Sequence, residues 1–134
     1  MHLRNRLFIA LALLYGLGGG LLALARLAAP GWVPGDVTRA HAHLMLLGLV
    51  LMTVYGIALH VLPRFGGYRL RSERLAWVQF WCANAGLPLM VAGWLALRDA
   101  PVLLGGALSV AAMLAFGVNV VFTVRLAPPA EPGR

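Results

Sequence analysis

His41-Ala42-His43-Leu44-Met45-Leu46-Leu47-Gly48 places two imidazoles at the head of an apolar run that continues to His60-Val61-Leu62-Pro63-Arg64-Phe65. Between Arg39 and Arg64 no side chain carries a fixed charge. A segment of that length and polarity suits the roughly 20 residues needed to cross a bilayer, and ionisable groups inside such a segment usually serve a function. The stretch therefore reads as one membrane span bearing three potential metal ligands, His41, His43 and His60.

The rest of the chain has the same character. Its 134 residues are 61% hydrophobic with a mean hydropathy of +0.84, more apolar surface than a small soluble core can hide. Charges cluster at Arg6, from Arg26 to Arg39, from Arg64 to Arg74, at Arg98-Asp99 and at Arg125. These breaks predict four spans, at about 7–27, 40–62, 75–97 and 101–124, in a single all-α, polytopic membrane domain. The apolar run from Leu7 to Ala25 is long for a signal-peptide core, so it is read as the first span.

A net charge of +7 points to membrane topology rather than to nucleic acid, because every basic residue is an arginine in a loop, a tail or a helix end. Placing both termini on the inner side gathers Arg4, Arg6, Arg64, Arg69, Arg71, Arg74, Arg125 and Arg134 there. Arg26, Arg39 and Arg98 remain outside. The expectation is an N-in, C-in, multi-pass protein of the inner (plasma) membrane, with His41 and His43 near the outer face and His60 near the inner one. Cys82 is the single cysteine, which excludes an intrachain disulfide and a thiolate cluster.

Small residues mark the expected helix contacts. Ala12, Gly16, Gly19, Gly20 and Ala23 recur along one side of the first span, and Gln79, Ala83, Gly86, Met90 and Gly93 along one side of the third. Pro88 interrupts the amide ladder of the third span at the Asn84 carbonyl. Ser72 and Glu73 suit its start. Ser109, Asn119 and Thr123 in the fourth span read as interhelical contacts, and Pro63 should end the second span.

Thr38 is a plausible N-cap for the second span, so His41 and His43 lie close to a helix start that disfavours a charged imidazole. Neutral imidazole is the form that binds iron, copper or zinc. Residues two apart on a helix diverge by about 200°, so the pair cannot readily chelate one metal and should serve two neighbours. His41 shares its side with Met45, Gly48, Met52, Tyr55, Gly56 and Leu59; His43 shares its side with Leu47, Val50, Val54, Ile57 and Val61. His60 lies about 25 Å further along the axis, too far to share a metal with His43.

This pattern, His41-Ala42-His43-Leu44-Met45-Leu46-Leu47-Gly48 followed by Tyr55-Gly56-Ile57-Ala58-Leu59-His60-Val61-Leu62-Pro63-Arg64-Phe65, resembles subunit I of heme-copper oxidases, closest to the cbb3-type oxidase and nitric oxide reductase branch. The resemblance implies that His41 matches the ligand of the high-spin heme and His43 that of the low-spin heme. Its copper site and second low-spin ligand would come from histidines on other helices, and spans one, three and four here contain none. A complete oxygen or nitric oxide reductase centre is therefore not expected within one chain. Expected instead is a heme b-binding membrane protein acting in electron transfer or gas binding, with an electron donor protein or quinone as partner. Copper at His60 is a lesser expectation. Met45, Met52, Met90 or a second protomer of a homo-oligomer could complete the iron coordination, Gly48 and Tyr55 would line the heme, and Arg39 would pair with its propionates. The rival readings are a non-catalytic assembly or partner subunit of a larger respiratory complex and, more weakly, a small transporter.

Overall fold

The computed structural model describes residues 1–65 and 69–125, with side chains through residue 123. The described residues contain four helices long and apolar enough to cross a membrane: α1 (Leu3–Ala28), α2 (Val37–Phe65), α3 (Glu73–Leu95) and α4 (Asp99–Arg125). A helix stands at each of the four expected spans; the first, second and fourth run past the expected bounds at both ends, whereas the third starts earlier, at Glu73, and ends at Leu95, short of the expected residue 97. Gly66, Gly67 and Tyr68, within the charged break from Arg64 to Arg74, lie outside the described residues, as do Arg134 and the side chain of Arg125.

Helices α1 and α2 form one antiparallel pair and α3 and α4 a second, more extensive one. The first part of α2 packs on α3, and its last part touches α4. Phe8 of α1 is the hub of the main core, edge-on to Phe80 of α3 at 4.9 Å and to Tyr55 of α2 at 5.5 Å. Such edge-to-face pairs add about 0.5–1.5 kcal/mol each beyond buried area.

Glycine sets the helix spacing. A Cβ at Gly48 would meet Tyr15 and Leu87, one at Gly56 the Asn5 carbonyl, and one at Gly86 the Gly105 carbonyl. In lipid there is little hydrophobic gain between helices, so close backbone approach supplies the packing. The small-residue stripe of α1 divides: Gly16 and Gly19 lie against Leu49, Leu44 and Met45 of α2, whereas Gly20 faces open space. The expected face of α3 is confirmed, since Gln79, Ala83, Gly86, Met90 and Gly93 are all buried.

Polar side chains staple the end that holds the start of α1. Asn119 Oδ1 accepts from the Ser72 amide at 3.1 Å while its Nδ2 donates to the Ser72 carbonyl at 2.9 Å. Thr123 Oγ1 accepts from the Arg71 amide at 3.0 Å. Ser72 caps α3 as expected, its Oγ accepting from the Leu75 amide. Arg4, only 1% exposed, donates to Glu73 Oε2 at 2.6 Å and to Asn5 Oδ1. A residue expected to mark the inner surface is thus neutralised inside the bundle.

Two expectations need correction. Asp36, not Thr38, caps α2: its Oδ1 accepts from the Arg39 amide at 3.0 Å, while Thr38 is exposed within the first turn. Pro63 does not end α2, which runs on to Phe65. So close to a C-terminus, proline removes one amide bond, to the Leu59 carbonyl, and little helix remains to be broken.

At the opposite end the α1–α2 loop seats on the end of α3. The Asp36 amide donates to the Trp94 carbonyl at 3.0 Å, and Gly35 takes a φ of +84°. A Cβ at Gly35 would fall on the backbone of Trp94 and Leu95. Gly35→Ala should therefore cost more than about 1 kcal/mol, through both its φ and the clash. Gly20→Ala, with no neighbour to meet, should stay within about 1 kcal/mol of the parent. Unfolding midpoints in mixed micelles check both.

Candidate functional site

The Asp36 cap and the Trp94 contact fix the rotation of α2 about its axis, and with it the directions of the two histidines. His41 turns toward α1, where its Nδ1 lies 2.9 Å from the Gly19 carbonyl. His43 turns toward α3, its ring 4.2 Å from that of Trp94. Its Nδ1 lies 2.9 Å from the Arg39 carbonyl, one turn back along α2. The two imidazoles thus face different neighbours, as their spacing requires.

A carbonyl oxygen can only accept, so each Nδ1 carries a proton, and in the neutral ring that leaves the lone pair on Nε2. Neither Nε2 enters a hydrogen bond among the described residues, and both rings are half-buried. An imidazole held by a backbone carbonyl at one nitrogen and free at the other is the usual arrangement of a metal-binding histidine, because the carbonyl fixes the tautomer and raises the basicity of the ligating atom.

Immediately after His43 the backbone loosens into a π-helical stretch over Leu44–Leu51. The Leu44 amide is shared between the Ala40 and His41 carbonyls at its start. Such bulges recur at functional sites because they re-aim side chains without ending the helix. The expected protein-facing side nevertheless persists across it: Gly48, Met52, Tyr55, Gly56 and Leu59 are all buried.

The other expected site residues separate. Met45 packs with His41 on Gly19, where a Cβ would meet its sulfur. Gly48 sits under Tyr15. Met52 and Tyr55, each 1% exposed, belong to the core around Phe8, with the Tyr55 ring 4.8 Å from Phe116. Met90 takes a contact from the Ser109 hydroxyl at 3.6 Å on the α3–α4 side. Arg39 is exposed and ion-paired to Asp36 at 3.3 Å. His60 stands at the far end of α2, its Nε2 accepting from Arg64 Nη1 at 2.9 Å. Among the described residues no group of three or more His, Cys, Asp or Glu side chains could hold a metal ion.

Sequence reasoning missed Trp94 and the Gly19 carbonyl. The Asp36-x-x-Arg39 spacing could have identified the cap, since both its side-chain and ion-pair partners lie three residues on. No local signal pairs Trp94 with His43, which lie at the end of α3 and the start of α2, two helix lengths apart along the chain.

The family model for cytochrome c and quinol oxidase polypeptide I matches residues 2–98, covering α1 to the end of α3. The chain belongs to that family. The cbb3-type cytochrome c oxidase subunit CcoN1 of Stutzerimonas stutzeri is 30% identical over 127 aligned residues, which cover 72% of this chain. The chain spans 27% of that relative's length. No solved structure matches the chain.

The cap assignment is directly testable. Asp36→Ala should lower stability by about 1 kcal/mol by removing the only side-chain acceptor seen at the start of α2, whereas Thr38→Ala should be near neutral. Thermal unfolding followed by circular dichroism distinguishes them.

Proposed function

We propose that this membrane protein binds b-type heme through Nε2 of His41 or His43 and serves electron transfer or gas binding in a respiratory setting. The observation that carries the reading is the matched pair of 2.9 Å Nδ1 contacts to the Gly19 and Arg39 carbonyls, which leaves each imidazole with one lone pair for iron. Membership of the oxidase polypeptide I family supports heme as the group concerned.

The residues present suit an iron porphyrin better than a copper centre. One imidazole per iron is enough for a five-coordinate heme, whereas His60 belongs to no group of three potential ligands among the described residues and already accepts from Arg64. When bound, heme supplies a one-electron iron couple and an axial position for a diatomic gas. The work of this chain is to hold the ring: the Gly19 carbonyl orients His41, the Arg39 carbonyl and the Trp94 face orient His43, and Met45 lies beside His41 as a second-ligand candidate. Arg39 stands at the helix start for the propionates, in exchange with Asp36.

Both rings are half-buried in the single chain, and a porphyrin lying against either would present its second face outward. A second copy of the chain is the proposed cover there, making a homo-oligomer, with an electron donor protein or quinone as redox partner. The inner membrane is the proposed location.

Expression with heme precursor should give a purified protein with a Soret band and a b-type pyridine hemochrome. His41→Ala or His43→Ala should lower the heme-to-protein ratio on the order of ten-fold or more. Carbon monoxide binding to the reduced protein reports whether an axial position is open. A colourless parent protein would favour the rival reading of a partner subunit that packs in a larger complex. Full heme content in both variants would remove the two histidines from the site.

A further inference from the structure

The end of the bundle remote from His41 and His43 holds a cavity of about 410 Å³ between α2, α3 and the start of α1. Its floor is apolar, built from Leu59, Pro63 and Leu70, and its polar rim consists of His2, His60, Arg64, Arg69 and Glu73. The one carboxylate on this rim is already engaged: Glu73 is paired with the buried Arg4 at 2.6 Å. Arg64 and Arg69 have no carboxylate partner among the described residues. Arg64 instead donates to His60 Nε2, which spends one guanidinium donor on a neutral acceptor and leaves its charge uncompensated.

We propose that this cavity binds a phosphate group, that of an anionic phospholipid headgroup. Two guanidiniums facing one hollow match the oxygens of a phosphate by charge-assisted, forked hydrogen bonds. The rim imidazoles are already engaged, His60 Nε2 by Arg64 and His2 Nε2 lying 3.7 Å from Glu73, so the two arginines carry the recognition. The source of the phosphate follows from the walls and their level. The cavity lies where the apolar run of α2 ends and α3 begins, so it meets the bilayer at its polar boundary. A floor of Leu59, Pro63 and Leu70 can receive the glycerol and upper acyl carbons that a free inorganic ion lacks. The cavity is independent of heme and of His41 and His43, which lie at the other end of α2.

Native mass spectrometry of the detergent-solubilised protein tests it, with dioleoyl phosphatidic acid, dioleoyl phosphatidylcholine and inorganic phosphate as separate probes. One phosphatidic acid should be retained per chain, in clear preference to phosphatidylcholine. Each arginine near a charged lipid surface contributes about a five-fold change in affinity, so the double variant Arg64→Gln/Arg69→Gln should weaken retention about 25-fold. Arg74→Gln removes a positive charge at the same end from an exposed residue outside the rim, and should change retention little. Circular dichroism and melting of each variant confirm that the fold is retained, as expected for exposed side chains. Displacement of the lipid by millimolar inorganic phosphate would support the phosphate chemistry and assign it to a soluble source. Equal retention of both lipids, equal losses in the Arg74 and double variants, or no binding of any probe would overturn the proposal.

Discussion

The close approach of α2 to α1 is the constraint on which the rest of the bundle depends. In a bilayer two apolar helices gain little by leaving lipid for one another, so their contact must come from backbone proximity and from hydrogen bonds that lipid cannot replace. Gly19, Gly48 and Gly56 provide the proximity, each at a point where a Cβ would meet the neighbouring helix. The same proximity brings the Gly19 carbonyl within 2.9 Å of His41 Nδ1. Packing and site chemistry are therefore one arrangement: a side chain at Gly19 would press on Leu44 and Met45 and disturb the position of the carbonyl that orients His41.

The polar groups divide the bundle into two ends with different tasks. At one end Arg4 and Glu73 join α1 to α3, and Asn119 and Thr123 hold the segment before α3 against α4. Because Arg4 is buried while Glu73 is half exposed, removing Glu73 would leave the guanidinium as an uncompensated buried charge, a costly change. At the other end the ties are backbone ones, from Asp36 to the Trp94 carbonyl and from Arg98 to the Gly93 carbonyl. There the side chains of His41 and His43 need donate only to carbonyls, and their remaining nitrogens are left for other chemistry.

The helices, their order and the buried side of α3 were legible from charge spacing and small-residue periodicity, because a bilayer imposes a length and because close contact demands small side chains. The divergence of His41 and His43 was legible from the helical angle alone. The actual cap of α2 was misplaced by two residues, since Asp36 and Thr38 are both good caps and the choice depends on where the loop meets α3. The burial of Arg4 was also hidden. An arginine near a helix start reads as a surface charge until a partner on another helix, here Glu73, is placed beside it. Tyr55 and Met52 share a helix side with His41 as the spacing required, but the core around Phe8 claims them, and only tertiary packing could show that.

Exposed leucines and valines on the outer faces of α1, α2 and α4 carry no message by themselves, because lipid satisfies them. A nitrogen lone pair on a membrane helix is different. Its hydrogen-bonding capacity calls for a donor or a metal, and each imidazole of α2 keeps one such nitrogen without a partner among the described residues. Each ring has already used its proton on a backbone carbonyl, so it cannot turn that nitrogen outward to recover a partner without breaking a bond it has made. The fold thus holds the two rings by Nδ1 and turns them toward different neighbouring helices. Helix packing accounts for the contact of His41 with Gly19 and of His43 with Trp94, but it has no use for an unpartnered Nε2 on either ring.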